Sequence, residues 1–266
     1  MGNNAFSRLG IRLLAMGTGA VRYIGCLTVL FVQTLASLRI TAADHHRGLT
    51  QALRVGPGSF FISSLVALFV GMIISLQMAY MMVKLSAEIY IPDVVAVALT
   101  RELGPVLTAL IVAGRIGAGI TAEIGSMVVT EQVDALKAFA VSPVRYLVVP
   151  RFLALVGMLP ALTVFAVLVG IFGGSLICYY KLSVSYPTYW SMVADALVPK
   201  DIITGLVKTV FFAMIIAIVG CYEGLNTRGG ADGVGKATTL SVVRSFILII
   251  MVDCIATFIF YFLFNA

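Results

Sequence analysis

Few residues in this chain are placed to do chemistry. Arg101 and Glu102 are neighbours inside an apolar run from about Val94 to Ile120, and Lys208 and Asp253 stand in two later apolar runs. Charges in such runs are expensive unless they face a cavity, a bundle interior or an opposite charge. The planar fork of donors on Arg101 suits either a phosphate-bearing headgroup or a structural network, and the residue pattern leaves both open. Glu102 is expected to serve a structural network on another face, since neighbouring helical residues point in different directions. If the two later runs are antiparallel, Lys208 lies ~10 Å and Asp253 ~16 Å from a common end, so the two should pair. The rival chemistry is a proton relay through Glu102 or Asp253, which would make the chain an ion-coupled secondary transporter.

Other chemistries fall away. His45 and His46 are adjacent and point apart on a helix, a poor metal pair, and they read as solvated residues of a polar connection. Cys26, Cys178, Cys221 and Cys254 are scattered and form no CxxC pair, so they read as small core residues. Gly230-Ala231-Asp232-Gly233-Val234-Gly235-Lys236 follows the start of a phosphate-binding loop, but Ala237 replaces the magnesium-binding hydroxyl and no strand precedes it. It reads as a glycine-rich turn. No nucleophile–base spacing survives, and neither a cofactor nor a catalytic role is expected of this chain.

The elements that hold these residues follow from composition. With 61% hydrophobic and 11% charged residues in 266, the chain is a single-domain, all-α, polytopic membrane protein. Five spans are predicted at about 60–85, 94–120, 147–180, 202–221 and 240–264, with a polar connection over Arg39 to Gly58 and a short exposed turn from Ser86 to Asp93. The third span is longer than a bilayer requires and contains Pro160, so a kink, break or tilt is expected. Residues 5–36 place Arg8, Arg12, Arg22 and Gln33 on one narrow face at helical spacing. That pattern predicts an amphipathic helix lying in the headgroup region, the alternative being a first spanning helix with snorkelling arginines. Most of the 18 Lys and Arg residues gather at one set of span ends, and only Lys84, Lys181 and Lys200 mark the other. The bias puts the N-terminus in the cytosol and the C-terminus outside, so the net charge of +6 reflects topology and not nucleic-acid binding.

Two features flank the charged pair. The outer half of the first span holds Met78, Met81 and Met82, adaptable side chains that suit an acyl-chain pocket, although for any one of them ordinary packing is the expected role. The inner half of the second span carries small residues in two rows, Ala113/Gly117/Thr121/Gly125 and Gly114/Ala118/Ala122/Ser126, which lets two neighbours approach closely. Beyond it a short polar helix over 130–140 is predicted, capped by Thr130, favoured by Glu131 and Asp134 at its start and Lys137 at its end, and stopped by Pro143. Such a helix fits docking against a cytosolic partner or a solvated loop.

The series Arg101-Glu102-Leu103-Gly104-Pro105-Val106, Ala113-Gly114-Arg115 and Thr121-Ala122-Glu123-Ile124-Gly125-Ser126-Met127 closely resembles the MlaE family of ABC permeases. Glu131-Gln132, Asp134-Ala135-Leu136, Pro150-Arg151-Phe152 and Gly229-Gly230 extend the resemblance from about Val55 to the C-terminus. It implies a homodimeric phospholipid transporter of the bacterial inner membrane, or of the chloroplast inner envelope in plants. The implied partners are a cytosolic ABC ATPase that binds ATP and Mg, an MCE-domain periplasmic ring and a small STAS-type regulator. By position, Glu131, Gln132, Asp134 and Leu136 resemble the ATPase-coupling helix. Arg101, with Glu102 beside it, and Met78, Met81, Met82 and Leu85 resemble the wall of the lipid-binding cavity.

Overall fold

The computed structural model describes residues 3–38, 45–182 and 184–265, all helices and the turns between them. Arg39 and the side chains of Arg8, Arg12, His45 and His46 lie outside the described residues. The helices are α1 (Asn3–Leu38), α2 (His45–Met82), α3 (Ile91–Ala98), α4 (Gly104–Val112), α5 (Ala118–Val129), α6 (Gln132–Ala138), α7 (Val149–Leu182), α8 (Tyr186–Ala196), α9 (Pro199–Leu225) and α10 (Gly230–Asn265). Among the described residues, 6 helical segments are long and apolar enough to cross a membrane, Val21–Leu38 of α1 included. The chain is a multi-pass membrane protein.

α3, α4 and α5 form one rod joined by π turns at Leu99–Leu103 and Ala113–Gly117, and another π turn at Val144–Val148 leads into α7. Proline accounts for two of them. Pro105 and Pro150 each sit two residues beyond a π turn. Their rings press on the carbonyl four residues back and bring no N–H, and a wider turn relieves both conflicts. In the first case the Gly104 N–H reaches back to the Leu99 carbonyl.

Close backbone approach holds the rods together. A Cβ on Gly71 would strike the Gly170 backbone, and one on Gly173 would strike Leu68, so α2 and α7 cross on glycine. The row Ala113, Gly117, Thr121 and Gly125 is buried, and Thr121 Oγ1 lies 3.0 Å from both the Gly117 and Gly220 carbonyls, tying α5 to α9. Gly114 of the other row faces Phe246 of α10. Outside the bundle, α8 is pinned by buried Tyr189, whose hydroxyl donates to the Ile171 carbonyl at 3.0 Å. Burial raises the Tyr189 phenol above its usual range. That residue belongs to the core, while Tyr179, Tyr180 and Trp190 nearby are exposed and Tyr186 is half-buried, a composition suited to a membrane interface.

Several expectations are corrected. The connection before the first span is helical from His45, and Gly56-Pro57-Gly58 lies inside α2. The turn after α2 is only partly exposed, because Ile91 and Pro92 are buried and already begin α3. The short polar helix is Gln132–Ala138, and Thr130 does not cap it: its hydroxyl donates back to Ser126, while Glu131 at the N-cap is left-handed with φ 59°. Pro143 opens the next helix instead of stopping this one. Gly230–Lys236 forms the first turns of α10, entered through Gly229 and Gly230 at positive φ. α7 continues through Pro160 without a break.

The described side chains of α1 engage the half of the bundle that carries α6. Tyr23 donates to Glu223 at 2.8 Å, Arg244 donates to the same carboxylate and lies over the Tyr23 ring, and Phe31 packs on Phe152.

Replacing Gly71 by Val should destabilise the detergent-solubilised protein by roughly 1–3 kcal/mol through overpacking against α7. Gly157→Ala, which points into open space, should leave the melting temperature nearly unchanged.

Candidate functional site

The π turn at Leu99–Leu103 presents Arg101 and Glu102 to α9 and α10 at different heights. Arg101 Nε and Nη2 reach Asp201 Oδ1 at 2.7 and 2.6 Å. Glu102 meets Lys208, with Nζ 2.5 Å from Oε2, and Thr257, with Oγ1 3.1 Å from Oε1. Lys208 also donates to Thr257 Oγ1 at 2.7 Å and lies 2.9 Å from Asp253 Oδ1.

Burial grades these contacts. The Lys208 side chain is 2% exposed, so its ammonium depends on Glu102, Asp253 and Thr257 for what water would otherwise supply. The Asp201 side chain is 5% exposed, whereas Arg101 is 53% exposed. Arg101 is therefore anchored along one edge and open along another. It borders a cavity of about 360 Å³ with Glu102, Lys200, Asp201, Lys208 and Tyr261 among its walls. Asp201 Oδ2 is buried with no hydrogen-bond partner. A chamber of this kind, rimmed by both signs of charge and by aromatic residues, can hold an amphiphile with a zwitterionic or anionic head.

Sequence reasoning missed Asp201 and Thr257. Asp201 follows Pro199-Lys200 at the start of an apolar run and reads as a solvated acidic residue suited to the helix N-terminus. Thr257 is a neutral hydroxyl in an apolar run, and only the position of Lys208 reveals it.

The remaining sequence-derived residues stand elsewhere. Met78 and Met82 pack on the core cluster around Val95 and Tyr189, and Met81 and Leu85 are exposed at the end of α2; none borders the Arg101 cavity. On α6, Val133 is buried as an anchor, Leu136 is partly covered, and Glu131, Gln132 and Asp134 are exposed. Asp134 pairs with Lys137 at 2.7 Å, and Phe139 just beyond is 80% exposed.

Lys208→Ala should lower stability by about 3 kcal/mol or more, because Glu102 and Asp253 would then face each other without a cation. Adding Glu102→Gln and Asp253→Asn should recover most of that loss in a thermal unfolding cycle.

Comparison with known protein sequences identifies the family. The family profile described as Permease MlaE matches residues 49–259. A protein of Rickettsia prowazekii named Probable ABC transporter permease is 43% identical over 213 residues, covering 80% of this chain and 82% of its own. A Synechocystis protein of the same name is 43% identical over 201 residues, 76% of each chain. The intermembrane phospholipid transport system permease protein MlaE of Haemophilus influenzae is 38% identical over 204 residues, 76% of this chain and 78% of that one. A match spanning most of the bundle, from α2 to α10, places this chain in the MlaE permease family.

Proposed function

We propose that this chain is the membrane subunit of an ABC transporter that moves phospholipid between the bacterial inner membrane and an MCE-domain partner. The observation that carries the reading is the Arg101 cavity. A half-exposed guanidinium is held in place by a buried aspartate beside the Lys208–Glu102–Asp253 cluster, within a bundle whose outer faces are apolar. Arg101 would contact the lipid phosphate through its free edge. The Asp201 contact orients the fork and avoids the entropy loss of ordering a free side chain. Met81 and Leu85, exposed in one chain, are available to line a larger chamber with a second copy, with Met78 and Met82 behind them.

Energy enters at the opposite end. α6 projects an exposed acidic start on a buried Val133 anchor, a form suited to seating in the groove of a cytosolic ATPase. Glu131, Gln132 and Asp134 would be its polar contacts, and Leu136 would complete its apolar side. ATP and Mg belong to that partner, and a STAS-type regulator would act on it. Closure of the ATPase pair would push α6 and squeeze the dimer chamber, moving a phospholipid between the membrane and the MCE ring. The N-terminus and α6 are then cytosolic and the C-terminus is periplasmic.

The test is a reconstituted complex of this chain with its ATPase and fluorescent phospholipid. Arg101→Ala should reduce transfer about tenfold, the loss of one charge-assisted contact, while leaving assembly intact. Glu131→Lys should release the ATPase from the membrane subunit. Transfer that continues without a nucleotide-hydrolysing partner but stops with an uncoupler would refute this reading and establish the ion-coupled alternative.

A further inference from the structure

A second polar chamber lies at the α6 end of the bundle, about 14 residues and ~20 Å along the α3–α5 rod from Arg101 at 1.5 Å per residue. It has a volume of about 240 Å³ and is walled by α2, α5, α7 and the π turn at Ala113–Gly117. Three guanidinium groups meet there around one carboxylate. Arg151 Nη2 lies 2.8 Å from Glu123 Oε2, and Arg54 Nη1 lies 3.3 Å from Glu123 Oε1. Arg115 makes a long 3.4 Å contact with the neutral Ser59 hydroxyl.

The cluster is short of negative charge. Arg151 is 5% exposed and spends one arm on the Leu147 carbonyl and another on Glu123, yet its Nε is buried with no hydrogen-bond partner. Arg54 and Arg115 are exposed to the chamber, which carries two more positive than negative groups. The backbone makes room for them. A Cβ on Gly58 would collide with the Arg115 guanidinium, and Gly119 opens onto empty space in the wall.

Depth says what could supply the missing charge. The uncharged part of α2 begins after Arg54, and Arg54 to Met82 measures ~42 Å at 1.5 Å per residue, more than the ~30 Å of a hydrocarbon core. Arg54 therefore lies at headgroup level, where phosphates are the abundant anions. Guanidinium forks match phosphate oxygens two at a time.

The geometry points to a site in which Arg54 and Arg115, backed by Arg151, bind the phosphate of an anionic lipid headgroup from the leaflet on the α6 side. Glu123 holds Arg151 and Arg54 in place and limits the excess of positive charge. The site is separate from the Arg101 cavity and does not depend on transport by it.

The experiment is native mass spectrometry of the full chain in uncharged detergent, titrated with phosphatidylglycerol and, in parallel, with phosphatidylcholine. The unaltered chain should bind phosphatidylglycerol in preference to phosphatidylcholine. Arg54→Gln with Arg115→Gln should weaken the strongest phosphatidylglycerol step about tenfold, as expected for loss of charge-assisted hydrogen bonds. Gly119→Phe, which fills the chamber without touching any charge, should do the same. Arg101→Ala should leave that step in place, which separates this site from the transport cavity. Both the Arg54/Arg115 and the Gly119 variants change chamber-facing, exposed positions, and an unchanged elution profile checks that they fold. The assignment fails if these variants bind as the parent does, or if phosphatidylcholine binds equally well. It also fails if inorganic phosphate displaces the lipid and binds in its place, which would identify free phosphate as the ligand.

Discussion

An ammonium group enclosed in the middle of a helix bundle leaves a membrane protein little freedom. Lys208 is 2% exposed, and without compensation its burial would be worth more against folding than any nearby packing could offset. Compensation comes from different rods: Glu102 on the α3–α5 rod, Asp253 and Thr257 on α10. None of these contacts forms unless α9 and α10 are antiparallel and the rod lies against both. The cluster therefore specifies one arrangement of the helices, where apolar surfaces alone would tolerate several.

The π turn at Leu99–Leu103 is what lets one rod serve that arrangement. Pro105 deprives the Arg101 carbonyl of its usual donor, and the widened turn sends adjacent side chains to Asp201 and Lys208, two turns apart on α9. The consequence is a division of roles. Glu102 is consumed by the structural cluster, while Arg101 is fastened by one edge and left open by the other. A residue that is both fixed and available is what a binding chamber needs, because its ordering cost has already been met during folding.

Between its two ends the bundle is held by close approach of small residues. Gly71 on Gly170, and Thr121 against Gly220, bring backbones together where lipid offers no hydrophobic drive for association. The two polar chambers differ in balance. Around Arg101 and Lys208 the charges nearly cancel, whereas the chamber around Arg151 holds three guanidinium groups and one carboxylate, Glu123, which pairs with two of them. α4, a short helix bounded by π turns, is the rigid spacer that joins them.

The chain alone determined the class of the molecule. Apolar runs of bilayer length, arginines gathered at one set of helix ends, and charges stranded in mid-span are one-dimensional properties, and they announce a polytopic bundle with a polar interior. The double row of small residues from Ala113 to Ser126 was equally legible, since close packing depends on side-chain size at fixed helical spacing. Helix limits were less so. Gly56-Pro57-Gly58 and Gly230–Lys236 look like loops because glycine and proline disfavour isolated helices, yet packing against α7 and the turn of positive φ at Gly229 hold both segments in helices. Beyond the Lys208–Asp253 pair, which antiparallel spans suggest, partner choice belonged to tertiary structure. Nothing local links Arg101 to Asp201, Lys208 to Thr257 or Arg151 to Glu123, because each pair depends on the height and rotation at which separate helices meet. Those quantities are set by how glycine contacts and proline-widened turns fit together, and they appear only when the whole bundle is assembled.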